Sequence, residues 1–159
     1  MLPRLRTLLS YERDATVRVA ESLNSVPGEA RSRPEYAKAL GVFGHVQQAT
    51  YLWLSRVGGI GPRPFAMFPE WAVEQTVADA AMVHEAWGRF LEGLAEADLA
   101  RVVAYTSTEG VGYQSTLGEI VTHVFNHATY HRGQIALLVT ALGGQRATTD
   151  FIAFTRVKA

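Results

Sequence analysis

Apolar positions recur at helical spacing in four stretches of this chain. Leu8, Tyr11, Ala15, Val19 and Leu23 fall on one side of a helix from about Pro3 to Leu23, which Asn24, Pro27 and Gly28 end. A second helix is expected to open at Ser32-Arg33-Pro34-Glu35, which has the Ser-x-x-Glu form of a capping box with proline in its first turn. Phe43, Val46 and Trp53 carry it on to Gly58-Gly59. A third, from about Val73 to Leu94, presents Val77, Ala80, Ala81, His84, Trp87 and Leu91 on its apolar side. The fourth starts at another capping box, Thr116-Leu117-Gly118-Glu119, and stops at Gly143-Gly144.

The connections add detail. The stretch from Gly58 to Trp71 is rich in glycine, proline and aromatics and long for a compact domain; such loops often carry function. Arg101 to Tyr105 and Val111 to Gln114 flank Thr108-Glu109-Gly110 and predict a short β-hairpin. In the tail after Gln145, the apolar group Phe151-Ile152-Ala153-Phe154 is expected to pack on the body. Without an internal repeat or an interdomain linker, the pattern predicts one domain over residues 1–159. Its class is all-α, a four-helix bundle with a minor hairpin before the last helix.

Three histidines stand four residues apart on the fourth helix: His123, His127 and His131. At about 100° per residue each step rotates only about 40°, so the imidazoles form a column. Ile120, Val124, Ile135 and Leu138 share that side, so the column is expected to face a core. An imidazole buried without partners costs roughly 1–3 kcal/mol. Either a hydrogen-bonded core network or a metal ion satisfies the column, and the ion is the simpler device. His127 and His131 can reach one ion from adjacent turns, and His45, in line with Val42, Ala49 and Leu52, is the best third ligand. Three neutral imidazoles with an open position have the form of catalytic rather than structural zinc coordination.

Composition narrows the chemistry. The chain has no cysteine, which removes disulfides, thiolate ligands and a cysteine nucleophile, so a thiol reaction would need a thiol from outside. Fifteen basic and fifteen acidic side chains cancel, without a basic patch for nucleic acid or anionic lipid. The basic start at Met1-Leu2-Pro3-Arg4 is cut short by Tyr11-Glu12-Arg13-Asp14, unlike a signal peptide, and no apolar run is long enough to span a bilayer. A cytoplasmic protein with neither nucleic-acid nor membrane partner is expected.

His45, followed much later by Asn126-His127-Ala128-Thr129-Tyr130-His131-Arg132-Gly133-Gln134-Ile135, resembles the DinB/YfiT-like superfamily, and its DinB branch in particular. The likeness spans nearly the whole chain, including the long second connection and Thr149-Asp150-Phe151-Ile152. It implies a bundle of up-down-down-up topology, often a homodimer, with a divalent metal at His45, His127 and His131. Zinc and nickel come first, and iron, cobalt and copper are also compatible with three imidazoles. Characterised relatives include transferases and isomerases that use bacillithiol, mycothiol or glutathione. A metal-dependent thiol S-transferase acting on a small-molecule substrate is therefore the leading expectation. A hydrolase that activates water, or a noncatalytic metal-stabilised dimer, are the alternatives.

Supporting roles follow, with the catalytic residues themselves unassigned. His123 is expected beside the ligands rather than among them. Glu119 fits two roles, orienting His123 or completing the Thr116 cap. Tyr130 and Gln48 are placed either next to the ligands or toward solvent. His84 reads as a satisfied core residue. Arg132 and Gln134 lie off the column and are expected to serve packing, Arg132 by pairing with a carboxylate or a helix end. Gly133 is expected to let another helix approach. Met67-Phe68-Pro69-Glu70-Trp71 either covers the mouth of a pocket or plugs the end of the bundle.

Overall fold

The computed structural model describes residues 1–157. Four long helices, α1 (Leu2–Asn24), α2 (Pro34–Arg56), α3 (Val73–Glu92) and α4 (Leu117–Ala141), make an all-α body in which α1 packs chiefly on α3 and α2 chiefly on α4. It departs from a plain four-helix bundle by two 3-10 turns, Gly28–Ser32 and Glu96–Ala100, an antiparallel hairpin and a short helix α5 (Phe151–Thr155). The hairpin joins β1 (Val102–Thr106) to β2 (Gly112–Thr116), with Ala104 opposite Gln114.

The apolar faces bury two separate clusters. One gathers Leu5, Leu54, Trp87, Leu117 and Val121 at one end, and the other gathers Leu23, Ala39, Phe43, Ile135 and Val139 at the other. Between these stretches the helices supply buried polar residues: Glu12 and Thr16 from α1, Gln47 and Gln48 from α2, Thr76 from α3 and Arg132 from α4. His127 and His131 fall in the same stretch of α4, between Phe125 of the first cluster and Ile135 of the second. Ala81, expected on the apolar side of α3, is exposed, whereas His84, Trp87 and Leu91 are buried.

The two predicted capping boxes have different fates. At Thr116 the box forms: the Glu119 amide donates to Thr116 Oγ1 at 3.2 Å, and the Thr116 amide donates to Glu119 Oε2 at 2.8 Å. At Ser32 it does not. Pro34 disfavours helical backbone at the residue before it. Arg33 is accordingly extended (φ −76, ψ 146) and becomes the N-cap without a side-chain cap bond. Ser32 ends the preceding 3-10 turn, its hydroxyl donating to the Glu29 carbonyl. At the other end, α4 closes as predicted, because Gly143 adopts φ 80 and lets the Gly144 amide reach the Val139 carbonyl.

Two segments are fastened to this body. Arg63 holds the connection after α2, donating two bonds to Asp79 (2.6 and 2.9 Å) and one to Gln48, with its guanidinium 3.7 Å from the Tyr51 ring centroid. Gln48 thus serves the loop and not the histidines. In the tail, Phe151 and Phe154 flank the Tyr11 ring, while the Tyr11 hydroxyl donates to the Thr149 carbonyl. No helix among the described residues is long and apolar enough to cross a membrane.

Candidate metal centre

His127 and His131 occupy successive turns of α4, and His45 faces them from the middle of α2. The 3.6-residue repeat stacks the first pair, and the packing of α2 on α4 brings in the third. His127 Nε2 lies 3.1 Å from His131 Nε2 and 3.3 Å from His45 Nε2. One donor nitrogen from each residue falls within 4.8 Å of the others. Zinc–imidazole bonds of about 2.0–2.1 Å at tetrahedral angles place neighbouring nitrogens about 3.3–3.4 Å apart, so this spacing fits a divalent ion.

The far ring nitrogens fix how the lone pairs point. His45 Nδ1 lies 2.7 Å from the Met67 carbonyl, which only accepts, so Nδ1 carries the proton and Nε2 is left bare. His131 Nδ1 lies 2.9 Å from Gln134 Oε1, and with the amide oxygen turned toward it Nδ1 donates and Nε2 is bare. His127 Nε2 can donate one hydrogen at most. At most one of the two close Nε2 contacts can therefore be a hydrogen bond, and the other leaves a lone pair without a donor, which a shared cation would satisfy.

Electrostatics favour the neutral, ligating form of His127 and of His45. Burial first, and then the neighbouring His131, His45 and His123, push the His127 pKa down to about 3. Burial and His131 also lower His45, against the opposing effect of its bond to Met67.

The long connection shapes the surroundings. Phe68 stacks on His45 at 4.8 Å between centroids, and Pro69 lies on Gly44, where a Cβ would come within 2.7 Å of Pro69 Cγ. Of the segment Met67–Trp71, residues Phe68 to Trp71 thus line a pocket. Between them and α2 runs a cleft of about 810 Å³, which His131, Tyr130 and Gln134 also line. The histidine column accordingly stands at the edge of the core: the three clustered histidines are half-buried and His123 is exposed.

Other expectations divide. His123 stays outside the cluster, its ring 5.4 Å from His127 and 5.3 Å from Trp53. Glu119 completes the Thr116 cap, which holds its carboxyl below the usual range. Tyr130 is exposed, with its ring edge-on to His131 at 5.1 Å. Gln134, expected to serve packing, is instead the hydrogen-bond partner of His131; the i,i+3 spacing was the available signal. A Cβ added at Gly133 would meet nothing within 4 Å, so among the described residues no other helix packs closely on it. Arg132 does pair with a carboxylate, that of Glu12. Sequence reasoning missed the Met67 carbonyl and the Gly44 seat, because both depend on how the loop folds back over α2.

A search of curated proteins finds no match. Among solved structures, a DinB-like protein from Bacillus cereus superposes with a TM-score of 0.66 at 19% identity, over 89% of this chain and 94% of that one. At that identity the likeness speaks for the fold. The family model of the DinB family matches residues 1–158, and the chain therefore belongs to the DinB family.

Proposed function

We propose that His45, His127 and His131 hold a divalent metal ion and that the protein is a metal-dependent thiol S-transferase. The observation that carries the metal is the convergence of three Nε2 atoms, two of them turned inward by outer bonds to Met67 and Gln134. Outer-shell partners of this kind orient metal-bound imidazoles and raise their basicity. Because the donor set carries no charge, an ion there would supply strong Lewis acidity and bring a bound thiol or water toward ionisation near neutral pH.

The chain's own residues do the rest. His45 and His131 present fixed lone pairs, Phe68 shields the His45 face from water, and the cleft beside His131 admits a small molecule. With no cysteine in the chain, the sulfur nucleophile comes from a low-molecular-weight cosubstrate.

Elemental analysis of untagged protein, with His45→Ala and His131→Ala alongside, tests the metal. Near-stoichiometric metal lost in both variants is expected. No uptake of any divalent ion by the parent protein would sink the reading. Metal-loaded protein is then offered bacillithiol, mycothiol or glutathione with a chromogenic electrophile. Turnover needing both thiol and metal supports the transferase, whereas ester turnover without thiol replaces it with a hydrolase. Assembly as a homodimer, which family membership suggests, is read by light scattering.

A further inference from the structure

The cleft beside His131 has a definite chemical character. Its walls are Leu40 and Val42 from α2 and Phe68, Pro69 and Trp71 from the loop, so an apolar body fills most of it. Phe68 is 56% exposed, leaving an aromatic face that a ligand would cover. The size lies within the range typical of small-molecule sites, about 300–1,000 Å³.

Charge is sparse and placed at the rim. Lys38 is the single lysine among the described residues, and it forms no ion pair with any of them. It stands seven residues before His45, which puts both on one face of α2 about 10 Å apart along the axis. The facing loop contributes one carboxylate, Glu70, likewise without a cationic partner among the described residues. Beside His131, Gln134 spends its amide oxygen on the imidazole and keeps its N–H donors for a ligand.

We infer that this cleft binds an organic monoacid: an aromatic or branched apolar body against Phe68 and Trp71, with its carboxylate at Lys38. The body then extends from Lys38 toward His131, which places the end remote from the carboxylate at the histidine cluster. Glu70 repels a second negative charge, so monoacids are accepted and diacids disfavoured. That the bound acid is a substrate rests on the metalloenzyme reading; that it binds does not.

Calorimetry on the full chain, metal-free and zinc-loaded, with phenylbutyrate, its primary amide and phenylsuccinate tests the inference. Phenylbutyrate is expected to bind about fivefold tighter than the amide, the worth of one partly exposed ion pair, and tighter than the diacid. Lys38→Met, a change at an exposed position, removes the preference for acid over amide and leaves amide affinity unchanged. Trp71→Ala weakens both ligands. Equal binding of acid and amide, a preference that survives Lys38→Met, or no binding of either overturns the inference. Zinc uptake without acid preference removes this inference alone, whereas acid preference in a protein that takes up no metal removes the metal reading alone.

Discussion

Arg132 Nη1 lies 2.5 Å from Glu12 Oε2, an ion pair between α4 and α1 in which both side chains are almost fully buried. The same guanidinium donates to the Tyr11 hydroxyl and to Thr129 Oγ1, and Tyr11 in turn binds the Thr149 carbonyl. The residue next to His131 thus ties the histidine-bearing helix to α1 and, through Tyr11, to the tail.

Burial raises the Glu12 carboxyl and the Arg132 guanidinium opposes that rise, so each partner depends on the other. Glu12→Ala or Arg132→Met alone is expected to cost about 3–5 kcal/mol, because an unpaired buried charge remains. Among the described residues Glu12 Oε1 and Arg132 Nε find no hydrogen-bond partner, so the protein itself does not fully satisfy the pair there. Glu12→Leu combined with Arg132→Met should therefore cost much less than either single change. Urea unfolding of the four proteins decides, and additive losses would refute the coupling.

Metal affinity should depend on groups that do not ligate. Gln134→Leu frees His131 Nδ1 and is expected to weaken zinc binding about 10- to 100-fold. Gly44→Ala drives a Cβ against Pro69 and displaces the segment whose Met67 carbonyl orients His45, so it too should weaken binding. Competition with a chromogenic chelator reads both, and unchanged affinity in Gln134→Leu would deny the hydrogen bond its role.

Buried His84 ties stability to pH. Burial first, then Arg13 and Arg132, lower its pKa to about 4, below the usual imidazole value of about 6.5. As pH falls from 6.5 toward 4, the unfolded chain takes up a proton that the folded chain refuses, and stability drops. The full loss from this group is roughly 3 kcal/mol. Unfolding free energies of chelator-treated protein at pH 7 and pH 4.5 should show it, and His84→Leu should flatten the difference. An equal pH slope in the variant would rule His84 out as the source.

Helix-end chemistry gives a sharper contrast. Thr116→Ala removes a formed cap and is expected to cost about 1 kcal/mol. Ser32→Ala, at the box that does not form, should stay within about 0.5 kcal/mol. Gly133→Ala should stabilise by up to about 1 kcal/mol in the monomer, since nothing lies within 4 Å of the added methyl. Thermal melts of the three variants measure all of these.

Features that depend on neighbours along the chain were legible before any packing was known. Helical periodicity located the four long helices, Thr116 and Glu119 set the start of α4, Gly143 set its end, and the four-residue spacing put His127 and His131 on one face. Where a local rule met a competing local rule the outcome was also sequence-encoded but harder to read, as at Ser32, where Pro34 overrode the capping pattern. Tertiary structure alone decided what meets across the bundle. It seated Pro69 on Gly44, aimed the Met67 carbonyl at His45, paired Arg132 with Glu12 across 120 residues, and left the histidine column at the edge of a cleft. The reason is physical: periodicity specifies which face of a helix is turned inward, but contacts between distant segments depend on loop paths and packing that no single stretch of sequence contains.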